Sequence, residues 1–277
     1  MLVENVKEYV DSFVTFGEPV EYKGLKIKPI LAKDSIRFLE AVSVLQIEKN
    51  KIPSVEIIQM SYLEFMINFM VMYPEYFDDF TWILLKSLGI DYNEQILVDG
   101  FNPNEILAEK FPNNDTIYRF NGWDFELKLC HPRGATIKIQ GVDFTSREFD
   151  DLRRIILYQN IYDFDEMPMS DDFRRVVEQY YAIKNRGIHK PTLEDKAVAI
   201  ILNTSYTYDT LKNVPFRSFE KLFFDGIGKI DYIATKSLEP HLKEGKSIDH
   251  WVYKPVREKY SEVFSDANEF ANKFANM

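Results

Sequence analysis

The sequence predicts an α+β fold that is mainly α, in which bundles of short helices flank a small antiparallel β-meander with one packed helix. Three observations support this class. Apolar residues recur at helical spacing over most of the chain. A short central region alternates apolar and polar residues between turn signals, which is typical of strands with one buried face. A helix with its own capping signal follows that region directly.

The N-terminal region, residues 1–114, is predicted to be mainly helical with a small hairpin. The hairpin is indicated by "EPVEYKGLKIKPI", which alternates on both sides of Lys23 and Gly24. Ser54 precedes a long apolar pattern and is its predicted N-cap. Five helical segments are predicted in this region: an opening amphipathic helix, a helix over 33–47, a helix over 54–74, a helix that ends at Gly89, and the helix-like segment "NPNEILAEKF".

Residues 115–160 contain the predicted meander and its helix. The segments "TIYRFN", "DFELKLC" and "ATIKIQ" are separated by Asn121-Gly122, a strong hairpin signal, and by a turn that contains Gly134. In the second segment Phe125 and Leu127 alternate with charged residues, so one face is expected to be buried and the other wet. These patterns predict three antiparallel strands.

A strongly amphipathic helix is predicted after the meander. Thr145 is its expected N-cap, and Glu148 completes a capping box. The residues predicted to form its buried stripe are Phe149, Leu152, Ile155, Ile156 and Tyr158 or Gln159. The charged residues predicted to lie on its other faces are Arg147, Asp150, Asp151, Arg153 and Arg154.

The remaining chain is predicted to be an acidic linker at 161–170 and a C-terminal helical region at 171–277. Thr192 and Asp195 form a second capping pattern, before a helix whose inward residues are predicted to be Leu193, Ala197, Ile200 and Ile201. The chain ends in a predicted helix at 261–275. Its apolar residues belong either to the core or to a contact with a partner or a second copy, and we expect the contact. The residues predicted to bind the partner are Phe264, Phe270 and Phe274.

The formal charge of −10 is unevenly spread. Residues 1–183 carry 19 basic and 31 acidic residues, whereas 184–260 carry 14 and 10. This asymmetry suggests two modules that could associate head to tail, and the acidic total disfavours a protein that coats nucleic acid. No apolar stretch is long enough to cross a membrane. A single cysteine excludes an internal disulfide and fits a reducing cytoplasm.

The sequence contains no recognisable metal or cofactor motif. Cys130 and His131 lack a nearby third ligand, which a metal site would need. The acidic run that begins at Asp163 fails the EF-hand pattern, because Pro168 and Arg174 stand where glycine and glutamate are required. Phosphate-binding loops are missing, and only 11 glycines are present. We therefore expect no catalytic residues, no metal and no cofactor.

Two other functions remain as alternatives. The stretch from Lys196 to Lys221 has the length of a helix-turn-helix, so the protein could be a nucleic-acid-binding regulator. Its second helix lacks the cluster of basic and amide residues that reads bases. An enzyme could instead pair scattered carboxylates, such as Glu64, Asp78 and Asp79, as acid and base.

Several segments, in chain order, resemble proteins of the tail modules of bacteriophages of Gram-positive bacteria. They are "EPVEYKGLKIKPILAKDSIRFLEAVSVLQIEKNKIPSVEIIQMSYLEFM", "VDFTSREFDDLRRIILYQN", "KPTLEDKAVAIILNTSYTYDTLKNVPFRSFEKLFFDGIGKIDY" and "HWVYKP". Such proteins are treated as tail assembly chaperones or small tail structural components. The resemblance implies a protein without enzymatic activity that contacts other tail proteins or its own copies, in the host cytoplasm or the virion. It implies no particular functional residues.

Overall fold

The computed structural model describes residues 6–47, 49, 54–90, 106–120, 125–131, 133–164, 171–184, 186–187 and 190–237. The predicted class is confirmed, since the chain is α+β and mainly α, with two antiparallel sheets. Its contacts separate two compact units. The first unit is Met1–Phe164 with Asp209–Phe219, and the second is Asp165–Tyr208 with Glu220–Met277.

The first unit opens with helix α1 (Val6–Val14) and the predicted hairpin, β1 (Val20–Tyr22) and β2 (Leu25–Ile27). Lys23 and Gly24 form its two-residue turn with φ values of 50° and 83°. Positive φ at both central positions matches the twist of a hairpin, and glycine adopts it without strain. This part of the sequence prediction is confirmed.

Four helices follow, of which α2 is flanked by short 3-10 turns at Ala32–Asp34 and Val42–Leu45. Ser54 caps the next helix as predicted, but the single helix expected over 54–74 is wrong. Ser61 introduces a second N-cap, because its hydroxyl accepts a hydrogen bond from the backbone N–H of Glu64 at 3.2 Å. The four helices are α2 (Ser35–Ala41), α3 (Val55–Gln59), α4 (Tyr62–Met72) and α5 (Glu75–Ser87).

The main sheet has five strands rather than the predicted three, paired in sequence order and all antiparallel. The helix-like "NPNEILAEKF" is a strand where it is described. Its residues are good helix formers, but pairing with the next strand supplies ladder hydrogen bonds, and this overrides propensity. The last strand has only four residues and ends at Thr145, the N-cap of the next helix, so the sequence pattern did not reveal it. The strands are β3 (Ile106–Lys110), β4 (Thr116–Phe120), β5 (Phe125–Leu129), β6 (Ala135–Ile139) and β7 (Val142–Thr145).

The two faces of this sheet differ as the alternation predicted. The wet face carries a row of alternating charge, in which Glu126 opposes Lys138 and Lys138 opposes Asp143. Arg119 extends the row by pairing with Glu126 at 3.0 Å and with Glu109. Opposite charges on neighbouring strands favour this register over a slipped one. The buried residues of the other face are Phe125, Leu127, Ile137, Ile139 and Phe144.

Helix α6 (Ser146–Asn160) lies behind the sheet and contacts α1, α4, β6 and β7. The capping box of Thr145 and Glu148 is confirmed. The predicted stripe is also confirmed, since Phe149, Leu152, Ile155 and Ile156 are at most 1% exposed. The helix is therefore enclosed on several sides rather than covered on one.

Two charged residues of α6 correct the sequence prediction. Asp151 and Arg153 were expected on its wet faces, but both are buried. Asp151 accepts a hydrogen bond from the hydroxyl of Tyr22 at 3.2 Å. Arg153 donates to the carbonyl of Leu45 at 3.0 Å, and its guanidinium lies 4.2 Å from the ring centre of Tyr62. Burial is tolerated because partners from distant segments satisfy these polar groups.

The second unit contains α7 (Asp171–Lys184), α8 (Leu193–Asn203) and most of α10 (Phe216–Lys236). The second capping box, Thr192 with Asp195, is confirmed. Of the four residues expected to face inward on α8, only Ile200 is fully buried; Leu193, Ala197 and Ile201 are partly exposed.

The segment 209–219 returns to the first unit. It contains most of the short helix α9 (Tyr208–Leu211) and the first turn of α10. Leu31 and Pro215 form a β-bridge, and Phe216 donates its backbone N–H to the carbonyl of Ile30 at 2.7 Å. The buried apolar residues that it contributes are Leu211, Phe216 and Phe219.

Candidate functional site

Two of the candidate catalytic carboxylates belong to an ion pair. Asp78 and Asp79, near the start of α5, each lie 2.6 Å from the guanidinium of Arg37 on α2. That guanidinium also lies 5.6 Å from the ring centre of Trp82. Glu64, the third candidate, lies on another helix, α4. The fork-like pairing joins α2 to α5, which is the geometry of a structural ion pair.

Cys130 and His131 lie in the turn between β5 and β6. The backbone N–H of Cys130 donates to the carbonyl of Gly134 at 2.9 Å, and that of His131 donates to the carboxylate of Asp115 at 2.9 Å. Lys128 lies 2.7 Å from the same carboxylate. The hydrogen bond from Lys128, followed by that from His131, lowers the pKa of Asp115 to about 2. Asp115, which the sequence did not single out, therefore organises this turn.

Neither a metal-binding cluster nor a membrane-spanning helix occurs among the residues that the structure describes. Their His, Cys, Asp and Glu side chains form no group of three or more that could hold a metal ion. None of the described helices combines the length and apolar content needed to cross a bilayer. Most of the acidic run from Asp163 has side chains outside the described residues.

All four basic side chains between 196 and 221 have acidic partners, which bears on the helix-turn-helix alternative. Lys196 lies 2.8 Å from Glu220, within the second unit. The other three pairs are Lys212 with Asp209 at 2.7 Å, Arg217 with Asp11 at 3.0 Å, and Lys221 with Asp225 at 2.6 Å. Phosphate contacts need available cations, so this arrangement is poorly suited to nucleic acid.

The most distinctive surface of the second unit is the apolar face of α10. Its stripe begins with the buried Phe219 and Phe223. It continues as Ile227, Ile230 and Ile233, which are 39%, 45% and 60% exposed. We call these three residues the isoleucine row. Their spacing could be read from the sequence, but their exposure could not.

The isoleucine row has the chemistry of a contact surface. Branched aliphatic side chains can be covered by another apolar surface, and they carry no group that could act on a substrate. The predicted partner-binding residues, Phe264, Phe270 and Phe274, lie outside the described residues. The row is therefore a described surface that fits a binding role.

Comparison of the chain with protein-family models, with curated proteins and with solved structures gives no match in any of the three.

Proposed function

We propose that this chain is a non-enzymatic protein of a bacteriophage tail module. In this proposal it assists tail assembly, or joins the virion, by contacting other tail proteins or its own copies in the host cytoplasm. The observation that carries the proposal is the isoleucine row, an exposed apolar face on a 21-residue helix. Amphipathic helices that meet an apolar groove are a recurring mode of protein recognition.

The rival functions have less support from the geometry. Asp78 and Asp79 are engaged by Arg37, so they do not form a separated acid and base. Lys196 and Lys221 are engaged by carboxylates, which weakens the case for phosphate binding. The resemblance to tail-module proteins supports the choice of partner, and the second unit supplies the contact residues.

The proposal predicts that the tagged full chain captures a tail protein when it is coexpressed with the genes of its tail module. The variant Phe264→Ser/Phe270→Ser/Phe274→Ser should lose capture, because the predicted terminal helix loses its large apolar side chains. The matched control, Asn268→Ser/Asn272→Ser, changes the polar side of the same segment and should retain capture. Both variants should keep the circular dichroism spectrum of the parent.

Two outcomes would count against this function. One is equal capture by the parent chain, the triple variant and Ile230→Asp, which would remove both the terminal phenylalanines and the isoleucine row from the contact. The other is retention of the full chain on heparin at moderate salt without capture of any tail protein, which favours the nucleic-acid alternative.

A further inference from the structure

The apolar stripe of α10 is covered over its first turns and open over its last ones. Phe219 and Phe223 are 2% and 6% exposed, and the isoleucine row becomes more exposed towards the C-terminal end of the helix. An amphipathic helix usually buries its whole apolar face against neighbouring elements. The row therefore lacks a covering element among the residues that the structure describes.

The remaining chain is long enough to provide that element. The last described residue is Ser237, immediately after α10, and 40 residues follow it. The 21 residues of α10 span ~31 Å. Residues 237–260 could extend up to ~80 Å, so the segment 261–275 can return along α10 in the antiparallel direction.

The segment 261–275 has a stripe that complements the row in shape. Its large residues, Phe264 and Phe274, stand at the two ends of the stripe, with Ala267 and Ala271 between them at helical spacing. On α10, Gly226 lies one turn before Ile230, and no described atom lies within 4 Å of the position that a Cβ would take there. Large side chains of one helix can then sit against small residues of the other, which allows close approach.

We propose that residues 261–275 fold back onto the isoleucine row of the same chain as an antiparallel helix. The docking does not depend on a role in phage tails. If the proposed function also holds, the three phenylalanines cannot contact the row and a tail protein at once. The row would then hold the segment until a tail protein displaces it.

Disulfide crosslinking of the full chain tests the contact directly. The background is Cys130→Ser, which removes the only native thiol. Ile230→Cys with Ala271→Cys should form an intrachain disulfide at a yield that does not depend on protein concentration. Thr235→Cys with Ala271→Cys is the matched control, because Thr235 lies on the polar side of α10, and its yield should be several-fold lower. An interchain crosslink would identify a second copy as the occupant and overturn the proposal, as would equal yields in the two pairs.

Limited proteolysis gives a second readout. A docked segment protects the peptide bond after Lys273 from trypsin. Ile230→Asp should release the segment and raise cleavage there several-fold, whereas Thr235→Asp should not. Unchanged cleavage in Ile230→Asp overturns the docking.

Capture of tail proteins separates the two proposals. Ile230→Asp and the triple phenylalanine variant should both lose capture, because the exposed row and the displaced segment would both contact the tail protein. Intrachain crosslinking without capture by any variant would mean that the docking stands and the proposed function fails. Capture of a tail protein without an intrachain crosslink would mean that the proposed function stands and the docking fails.

Discussion

Helices α6 and α10 have similar amphipathic sequences, but they differ in how much of the apolar stripe is buried. In α6 the apolar stripe is buried, and so are Asp151 and Arg153 beside it. In α10 three of the five stripe residues are exposed, although the helix is longer. An amphipathic pattern therefore tells which face will be covered first, but the surrounding elements decide how much is covered.

The largest expected effect tests the enclosure of α6. Phe149 is fully buried, with its ring centre 6.1 Å from that of Phe80. Phe149→Ala should lower the free energy of unfolding by about 3–5 kcal/mol, because it leaves a cavity. Leu202→Ala, at a residue of α8 that is 78% exposed, should cost less than about 0.5 kcal/mol. Urea denaturation measures both, and similar losses would contradict the contrast between the two units.

A smaller effect is expected from the buried cation of α6. Arg153→Met removes the hydrogen bonds to the carbonyl of Leu45 and to Asp150. It should cost about 2–4 kcal/mol, because buried polar partners are left unsatisfied. Lys221→Met on α10 breaks an exposed pair with Asp225 and should cost about 0–0.5 kcal/mol. Equal losses in thermal unfolding would show that Arg153 is not enclosed.

The interior glycines of α10 allow a stabilising change. Gly228 has helical backbone angles, and no described atom lies within 4 Å of the position that a Cβ would take there. Gly228→Ala should stabilise the protein by about 0.5–1 kcal/mol. Gly24→Ala should instead destabilise it by about 1 kcal/mol, since φ is +83° at that position. Chemical denaturation should show opposite signs for the two variants.

The smallest effect concerns pH at the start of α6. Lys23 lies 2.8 Å from Glu148, and its hydrogen bond, followed by that from Thr145, lowers the pKa of Glu148 to about 2. A lowered pKa in the folded state adds stability above the unfolded pKa of about 4.5, and this is lost as the pH falls towards 2. Glu148→Gln should flatten the acid limb of a plot of stability against pH. Glu21→Gln, at an exposed residue of the hairpin, should leave that limb as it is.

The parts of the fold that were predicted correctly depend on neighbours in sequence. Thr145 and Glu148 are three residues apart, so their capping box could be identified without knowledge of the fold. The burial of Asp151 could not, because its partner Tyr22 is 129 residues away. Strand β3 was missed for the same reason, since its conformation depends on pairing with β4.

The candidate site was predictable only in part. The apolar spacing of the isoleucine row is visible in the sequence, but its exposure follows from which elements pack on α10. The partner-binding role of Phe264, Phe270 and Phe274 stays a prediction. The acidic partners of the basic residues between Lys196 and Lys221 are also brought close by the fold, so the sequence alone could not identify these ion pairs.

The bridge between Leu31 and Pro215 has a consequence for synthesis on the ribosome. The first unit needs Leu211, Phe216 and Phe219 to complete its core, yet these residues emerge only after 165–208 has been made. Closing so long a loop carries an entropic cost and slows folding. A nascent chain that stops at Phe164 therefore exposes apolar surface that the later segment covers, and the native first unit can form only when translation has passed Phe219.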